Sequence, residues 1–301
     1  MRSLTLKQLR YVDALARHGH FGRAAAACAI SQPALSMQVR ELEDSLGTAL
    51  FERTARQVRP TGFGAEFVER ARAILRAVDE LGDLARASRE SLIGRLRIGV
   101  IPTVAPYLLP QIVAALNGRY RGLDIRIRET LTPRLVEELR DGRLDAAIVA
   151  LPIAETGLTE LPLFRESFVL VRPAGDAAEP VPAVDRLREM PLLLLEEGHC
   201  LRDQALAYCE LHSGAARDLL DGSSLATLVQ MVGAGIGVTL IPEMAVPVEI
   251  RSAPVSVAAF PEPAPARTIG MVWRETSPLA DRLGQIAEVV RGAADRTGEA
   301  K

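Results

Sequence analysis

Apolar residues recur at helical spacing through the first fifty positions, in three short runs. Leu6, Leu9, Val12 and Leu15 make the first stripe, with Thr5 and Gln8 spaced as a capping box at its start and Gly19 as its stop. Phe21 to Cys28 reads as a short alanine-rich second helix, broken at Ala29–Ile30. Ser31 caps a third helix, and Pro33 falls in its first turn, where a missing N–H costs nothing. Leu35, Val39, Leu42 and Leu46 are its buried stripe and Gly47 its end. The pattern then breaks after Leu50–Phe51 into a basic hairpin with Arg53, Arg56 and Arg59, closing at Pro60, Thr61 and Gly62. From Ala65 to about Leu92 runs one proline-free helix. Its Phe67, Ala71, Ile74, Val78, Leu81 and Ala85 alternate steps of four and three, the seam of a coiled coil. A dimer is expected along that seam; a helix packed on its own domain is the plainer alternative.

The texture changes at Gly94. Strands at Leu96–Ile101, Leu123–Arg128 and Ala146–Ala150 alternate with helices at Tyr107–Arg119 and Leu135–Arg140. The alternation resumes with Leu192–Leu195, a helix at Cys200–Leu211, a helix at Leu225–Val232, strands at Gly237–Ile241 and Thr268–Trp273, and a last helix from Leu279 to about Arg291. Such alternation predicts an α/β fold with a mainly parallel, doubly wound sheet. Two lobes with a cleft between them, like a periplasmic binding protein, are expected. The predicted organisation is a winged helix-turn-helix over 1–64, a linker helix over 65–92 and a regulatory domain over 93–301. Within the last, lobe I takes 93–163 and 268–301 and lobe II takes 164–267.

Hydrophobic residues make up 48% of the 301, enough for a large core. The formal net charge of -2 taken alone argues against a nucleic-acid binder. Yet residues 1–64 hold nine Lys/Arg against five Asp/Glu, about +4, which leaves about -6 on the rest. A basic end on an acidic body suits an anionic partner, although a solvated face gives the same numbers. The start lacks a secretory apolar region and no run is long enough to span a bilayer, so a cytoplasmic protein without a membrane is expected. Three cysteines there are no disulfide framework, and any bridge would be a regulated one. No phosphate-binding loop, metalloprotease or serine-hydrolase motif and no metal-spaced His/Cys set is present, so neither an enzyme nor a metal or cofactor is expected.

A helix-turn-helix reads bases with the start of its second helix. Here that supplies Ser31, Gln32, Pro33, Ala34 and Ser36, with Gln38 and Arg40 beyond. Gln pairs bidentately with adenine and small Ala meets a thymine methyl. Arg23, Arg53, Arg56 and Arg59 suit phosphates or the minor groove. Phe21, Ala24, Ala25, the run Ser31 to Ser36, Leu42-Glu43, Leu46-Gly47, Leu50-Phe51, Arg53 and Thr61 to Gly64 together resemble the N-terminal signature of the LysR-type regulators. The resemblance covers essentially the whole chain. It implies a winged helix-turn-helix on double-stranded promoter DNA, a linker-helix homodimer or a homotetramer, a two-lobed effector domain, and RNA polymerase as a partner.

Of the cysteines, Cys28 lies among alanines and reads as a small buried side chain. Cys200 follows Gly198, so it falls at a helix N-terminus, where the dipole, Arg202 and a charged His199 favour the thiolate and Glu196–Glu197 oppose it. Cys209 lies nine positions on; along an intact helix that is about 13–14 Å at ~1.5 Å per residue, beyond the about 4.4–6.8 Å between Cα atoms that a disulfide needs. A bridge would then require unwinding. Two inert cysteines fit the spacing as well. The strings Ile101 to Val104, Pro106 to Pro110, Gly198 to Ala205 with Cys209, and Arg267 to Gly270 with Ser277-Pro278-Leu279 are similar to the hydrogen-peroxide-sensing members of the same family. That similarity implies Cys200 as the peroxidatic and Cys209 as the resolving cysteine. It implies Thr103, Thr132, His199, Gln204 and Arg267 around the peroxide, Arg202 and Asp203 as supporting residues, and activation of oxidative-stress genes. A family member that instead binds a small metabolite between the lobes is the alternative.

Overall fold

The computed structural model describes residues 4–53, 57–87, 94–187, 189–209 and 221–299. The chain divides into two units, Met1–Ala85 and Arg86–Lys301.

In the first unit, α1 (Leu6–His18) starts at the Thr5 capping box, in which the Gln8 N–H donates to Thr5 Oγ1 at 3.3 Å and the Thr5 N–H to Gln8 Oε1 at 3.1 Å. It stops at Gly19, whose φ of 58° is left-handed. Next come α2 (Phe21–Ala27), with Cys28 as its cap, and α3 (Gln32–Leu46), which begins on Ser31 and stops at Gly47. Strands β1 (Phe51–Arg53) and β2 (Val58–Pro60) pair antiparallel as the wing. Arg56 lies outside the described residues. Leu15, Leu35, Val39, Leu42, Leu50 and Val68 form the core, each fully buried apolar side chain contributing about 1.5–3 kcal/mol.

Helix α4 (Gly62–Ala87) begins before the expected Ala65. The reason is local: Thr61 Oγ1 accepts the Gly64 N–H at 2.9 Å and so caps the first turn. The expected end at Leu92 lies outside the described residues. Along the expected seam Ala71 is buried and Phe67 and Val78 are half-buried, while Ile74 and Leu81 stand 44% and 66% exposed.

The second unit runs β3 (Gly94–Val100), α5 (Ala105–Arg119), β4 (Leu123–Glu129), α6 (Thr132–Arg140), β5 (Ala146–Leu151) and β6 (Leu158–Pro173). It continues through α7 (Val184–Leu187), β7 (Leu194–Leu195), α8 (Cys200–Tyr208), β8 (Asp221–Gly222), α9 (Leu225–Gly233) and β9 (Thr239–Pro242). The last elements are α10 (Val246–Glu249), β10 (Val255–Ala259), β11 (Ala266–Arg274) and α11 (Ala280–Glu299). The expected end of α8 at Leu211 lies outside the described residues.

The main sheet corrects one expectation. Its order is β10-β6-β11-β5-β3-β4 with β9 on β6, and only the β3–β4 and β3–β5 pairs are parallel. The other pairs are antiparallel, so the sheet is mixed and not mainly parallel. The cause is β6, a 16-residue strand that the sequence pattern did not reveal. Pro162 interrupts it, and it is buried differently along its length, so no alternation of period two runs through it. It carries the chain out of one lobe and β11 carries it back, which makes their pairing antiparallel.

Two cores result. One gathers Ile98, Val100, Ile148, Met271 and Ile286 around β3, β5, β11 and α11. The other gathers Phe168, Leu170, Leu201, Cys209, Val229 and Ile241 around the far half of β6, α8, α9 and β9. A cleft of about 450 Å³ opens between α5 and α11, lined by Ala115, Arg119, Gln285, Glu288 and Val289 among others. None of the expected site residues lines it. Among the described residues no helix is long and apolar enough to cross a membrane.

Candidate functional site

The site is built where β6 and β11 pass from one core to the other. Arg267, the second residue of β11, stands opposite Glu166 on β6 in the strand register. The Arg267 side chain is 0% and the Glu166 side chain 5% exposed, so two charges are held out of water. Arg267 Nε and Nη2 both reach Glu166 Oε2, at 2.9 and 2.8 Å. Nη1 donates to Thr103 Oγ1 at 2.8 Å and Nη2 to the Thr103 carbonyl at 3.0 Å. A buried ion pair survives only with such supporting hydrogen bonds. The other carboxylate oxygen, Glu166 Oε1, accepts the Met244 N–H at 2.9 Å. The Phe168 ring lies 5.8 Å from the guanidinium carbon.

Cys200 opens α8 behind Gly198, whose φ of 92° turns the chain into the helix. A Cβ at Gly198 would come within 3.0 Å of Leu131, so the starts of α8 and α6 meet there. Burial raises the Cys200 thiol above its ordinary value; Arg267, the Thr132 hydroxyl and the Leu201 N–H pull it back down, and Asp203 opposes them. The helix start and nearby cation were expected to favour the thiolate, but desolvation outweighs them. The cation acting on the sulfur is Arg267. Arg202 instead donates to the Leu195 carbonyl at 2.9 Å. His199 is buried, and burial lowers its pKa against the pull of Glu196, so it is neutral near pH 7 and not the cation expected there.

Two buried polar atoms at this site lack a hydrogen bond of normal geometry among the described residues: Thr132 Oγ1, although it lies close enough to the sulfur to lower its pKa, and Gln204 Oε1, one turn along α8 from Cys200. Unsatisfied buried polar atoms are costly, and a small polar molecule with hydrogens to donate would relieve them. The structure thus brings Thr103, Arg267, Thr132 and Cys200 together, with His199 and Gln204 on the same short segment. Asp203 is exposed in α8's first turn.

All three cysteines are thiols. Cys200 is packed against the first core, whereas Cys209, at the end of α8, is completely buried in the second. The ordered helix holds them about 13 Å apart at its ~1.5 Å rise per residue. Cys28 is half-buried and its thiol is raised by burial.

On the first unit, Arg23, Ser31, Gln32, Pro33 and Arg40 are exposed, and Ala34, Ser36 and Gln38 are half-buried. Gln38 also donates to Glu41 at 3.0 Å, and Arg59, exposed on the wing, to Gln57 at 2.8 Å. Arg53 lies on β1. Two neighbours escaped the sequence reading. Met37 stands 56% exposed on the same side of α3 as Pro33 and Arg40, a position their i, i+3 and i+4 spacing could have flagged. His20 caps α2 through Nδ1, which accepts the Gly22 N–H at 3.0 Å and the Arg23 N–H at 3.4 Å.

A helix-turn-helix with a wing and a separate two-lobed domain, its lobes joined by a buried polar site, define a bacterial regulator that couples a sensing domain to a DNA-binding head. Residues 6–65 match the family described as bacterial regulatory helix-turn-helix protein, lysR family, and residues 89–295 match the LysR substrate binding domain. The chain is 43% identical over 297 residues to the DNA-binding transcriptional dual regulator OxyR of Escherichia coli K12, covering 97% of this chain and 96% of that one. Among solved structures, a full-length OxyR cysteine-to-aspartate variant from Pseudomonas aeruginosa matches with a TM-score of 0.75 and 37% identity, covering 97% and 96%. A hydrogen-peroxide-bound OxyR cysteine-to-serine mutant from Corynebacterium glutamicum matches with a TM-score of 0.67 and 35% identity, covering 97% and 93%. The chain belongs to the LysR family of transcription regulators, within its OxyR branch.

Proposed function

We propose that the protein is a DNA-binding transcription regulator that senses hydrogen peroxide through Cys200 and Cys209 and activates oxidative-stress genes. The observation that carries this reading is that two thiols stand at opposite ends of one nine-residue helix yet sit in different cores, one of them beside a buried arginine and two unsatisfied polar atoms. Peroxide binds between Thr103, Thr132, His199, Gln204 and Arg267, its hydrogens satisfying the Gln204 and Thr132 oxygens. The Cys200 thiolate attacks one peroxide oxygen, the O–O bond breaks, and hydroxide leaves beside Arg267, giving Cys200 sulfenic acid. The Cys209 sulfur, losing its proton, then attacks the Cys200 sulfur; a disulfide forms and water leaves. Because Cα atoms must approach to about 4.4–6.8 Å, α8 has to melt. Arg202 and Asp203 support the α8 start.

The melted segment repacks the sensing domain, and the α4 dimer passes the change to the DNA heads. The division into a head (1–64), linker (65–92) and two-lobed sensor (93–301) serves this coupling, as do a homodimer or homotetramer, a cytoplasmic location and contact with RNA polymerase on promoter DNA. Arg23, Arg53, Arg56 and Arg59 hold phosphates while the residues from Ser31 to Arg40 read bases.

The test treats reduced full-length protein with stoichiometric peroxide and maps thiols by mass spectrometry, alongside promoter binding of both forms. A Cys200–Cys209 bridge with altered DNA binding is expected, and Cys200→Ser should abolish both. A Cys200→Ser protein that responds fully would leave sensing to a bound metabolite and sink the proposal.

A further inference from the structure

Helix α4 belongs to the head at its start and leaves it at a definite point. Its first turn is pressed against the chain before β1: a Cβ at Gly64 would stand 1.9 Å from the Leu50 carbonyl oxygen. Val68, 3% exposed, then enters the core that Leu15 of α1 shares with Leu35 and Val39 of α3. Ala71 is still buried, but from Arg72 to Gly82 no position is. One ionic contact stands at that exit. Arg72 Nε donates to Asp13 Oδ1 on α1 at 2.9 Å. Asp13 is only 8% exposed, and its other oxygen, Oδ2, accepts from Arg17 Nη2 one turn along α1. Arg72 Nη1 donates to Glu69 Oε1 at 2.8 Å. Carboxylate and guanidinium are thus each held from a second side, so the bond between the helices has one geometry.

We infer that Asp13 is a positioning residue for DNA recognition: its bond to Arg72 fixes the angle at which α4 leaves the head, and thereby the half-site spacing that a dimer accepts. Asp13 is not one of the residues offered to DNA; it acts through the two helices it joins. Because α1 and α3 share one core, the angle of α4 against α1 is also its angle against the reading helix. Apolar packing at the exit is non-directional and leaves that angle soft, whereas a charge-assisted hydrogen bond is directional. The lever beyond it is long. From Arg72 to Ala87 α4 runs about 22 Å at ~1.5 Å per residue, so a tilt of about 10° at Arg72 moves its far end by about 4 Å. One base pair adds a comparable ~3.4 Å between half-sites. Ile74 and Leu81, the exposed seam residues, both lie beyond this pivot.

This rests on the α4 dimer proposed above. A promoter fragment that the wild-type protein protects is prepared with its natural spacing, and with one base pair added or removed midway between its half-sites. Affinity for the three fragments is measured for full-length wild type and Asp13→Asn, with sedimentation of both. Wild type should lose at least about tenfold on each altered fragment, since only one head can then seat well. Asp13→Asn, of the same size, should remain a dimer and lose about threefold or less, because its heads can tilt to follow the DNA. The ratio between fragments cancels any uniform change that a lost charge or a lower stability brings, and such a uniform change is all that a merely structural ion pair would give. An Asp13→Asn protein that discriminates as sharply as wild type overturns the inference. If Asp13→Asn does not fold by circular dichroism, Arg72→Gln, which removes the same bond from α4, decides the matter. A wild type that sediments as a monomer and is indifferent to spacing sinks the dimer reading, and this inference with it.

Discussion

At the scale of single residues, the site balances burial against one cation. Cys200 is pushed up by desolvation, and Arg267 and Thr132 only partly restore its acidity. Near neutral pH the thiolate is therefore the minor form, and its share grows about tenfold for each pH unit below the thiol pKa. The rate of Cys200 with peroxide should rise steeply between pH 6 and 8, measured by stopped-flow on Cys209→Ser protein. A rate that is flat over that range would mean that the thiolate already dominates and that the burial argument is wrong. His199, held neutral, should add no step of its own in that range. Residue identity announced the cysteines, but the sign of the Cys200 shift was not legible in sequence. It depends on how much water the fold removes and on an arginine 67 positions away that β11 returns to the same place. Glu166 is not legible for a related reason: in a stretch without strand alternation a lone acid reads as solvent-facing until β11 and Met244 cover it.

At the scale of elements, the proposed function puts the regulation on α8 and α4. Helix α8 is short and has a weak start, for His199 supplies no side-chain cap. A nine-residue helix without caps depends on its packing, here Leu201, Ala205 and Leu206 against the second core. Bridging Cys200 and Cys209 must extract both from their cores. Oxidation should thus lower far-UV helical circular dichroism and raise amide hydrogen exchange over 199–209; unchanged exchange in a bridged protein would show that the sulfurs join without melting. The caps of α1 and α3 and the hairpin were readable because each is local: Thr5, Ser31, Gly19 and Gly47 act on residues three or four positions away. The start of α4 is not legible because Thr61, which caps it, suits the close of the hairpin equally well.

At the scale of the whole molecule, the exposed part of the α4 seam is the feature that a single chain leaves unused. Ile74 and Leu81 stand on the surface at the spacing of a coiled coil. A dimer across them should fall apart in Ile74→Glu/Leu81→Glu protein. Sedimentation should then report monomers, and promoter affinity should drop by at least tenfold as the two heads lose their linkage. An intact dimer in that variant would place the interface elsewhere.

The sequence by itself determined the head, the caps, the alternation of the sensing domain and the two thiols, because periodicity and capping act over a few residues and cysteine chemistry is a property of the side chain. Only the tertiary structure decided the mixed sheet, the separate cores that hold Cys200 and Cys209, and the Arg267–Glu166–Thr103 network. Those depend on contacts between residues as many as 164 positions apart, and on the dielectric that the packed lobes create around them. No local pattern encodes either.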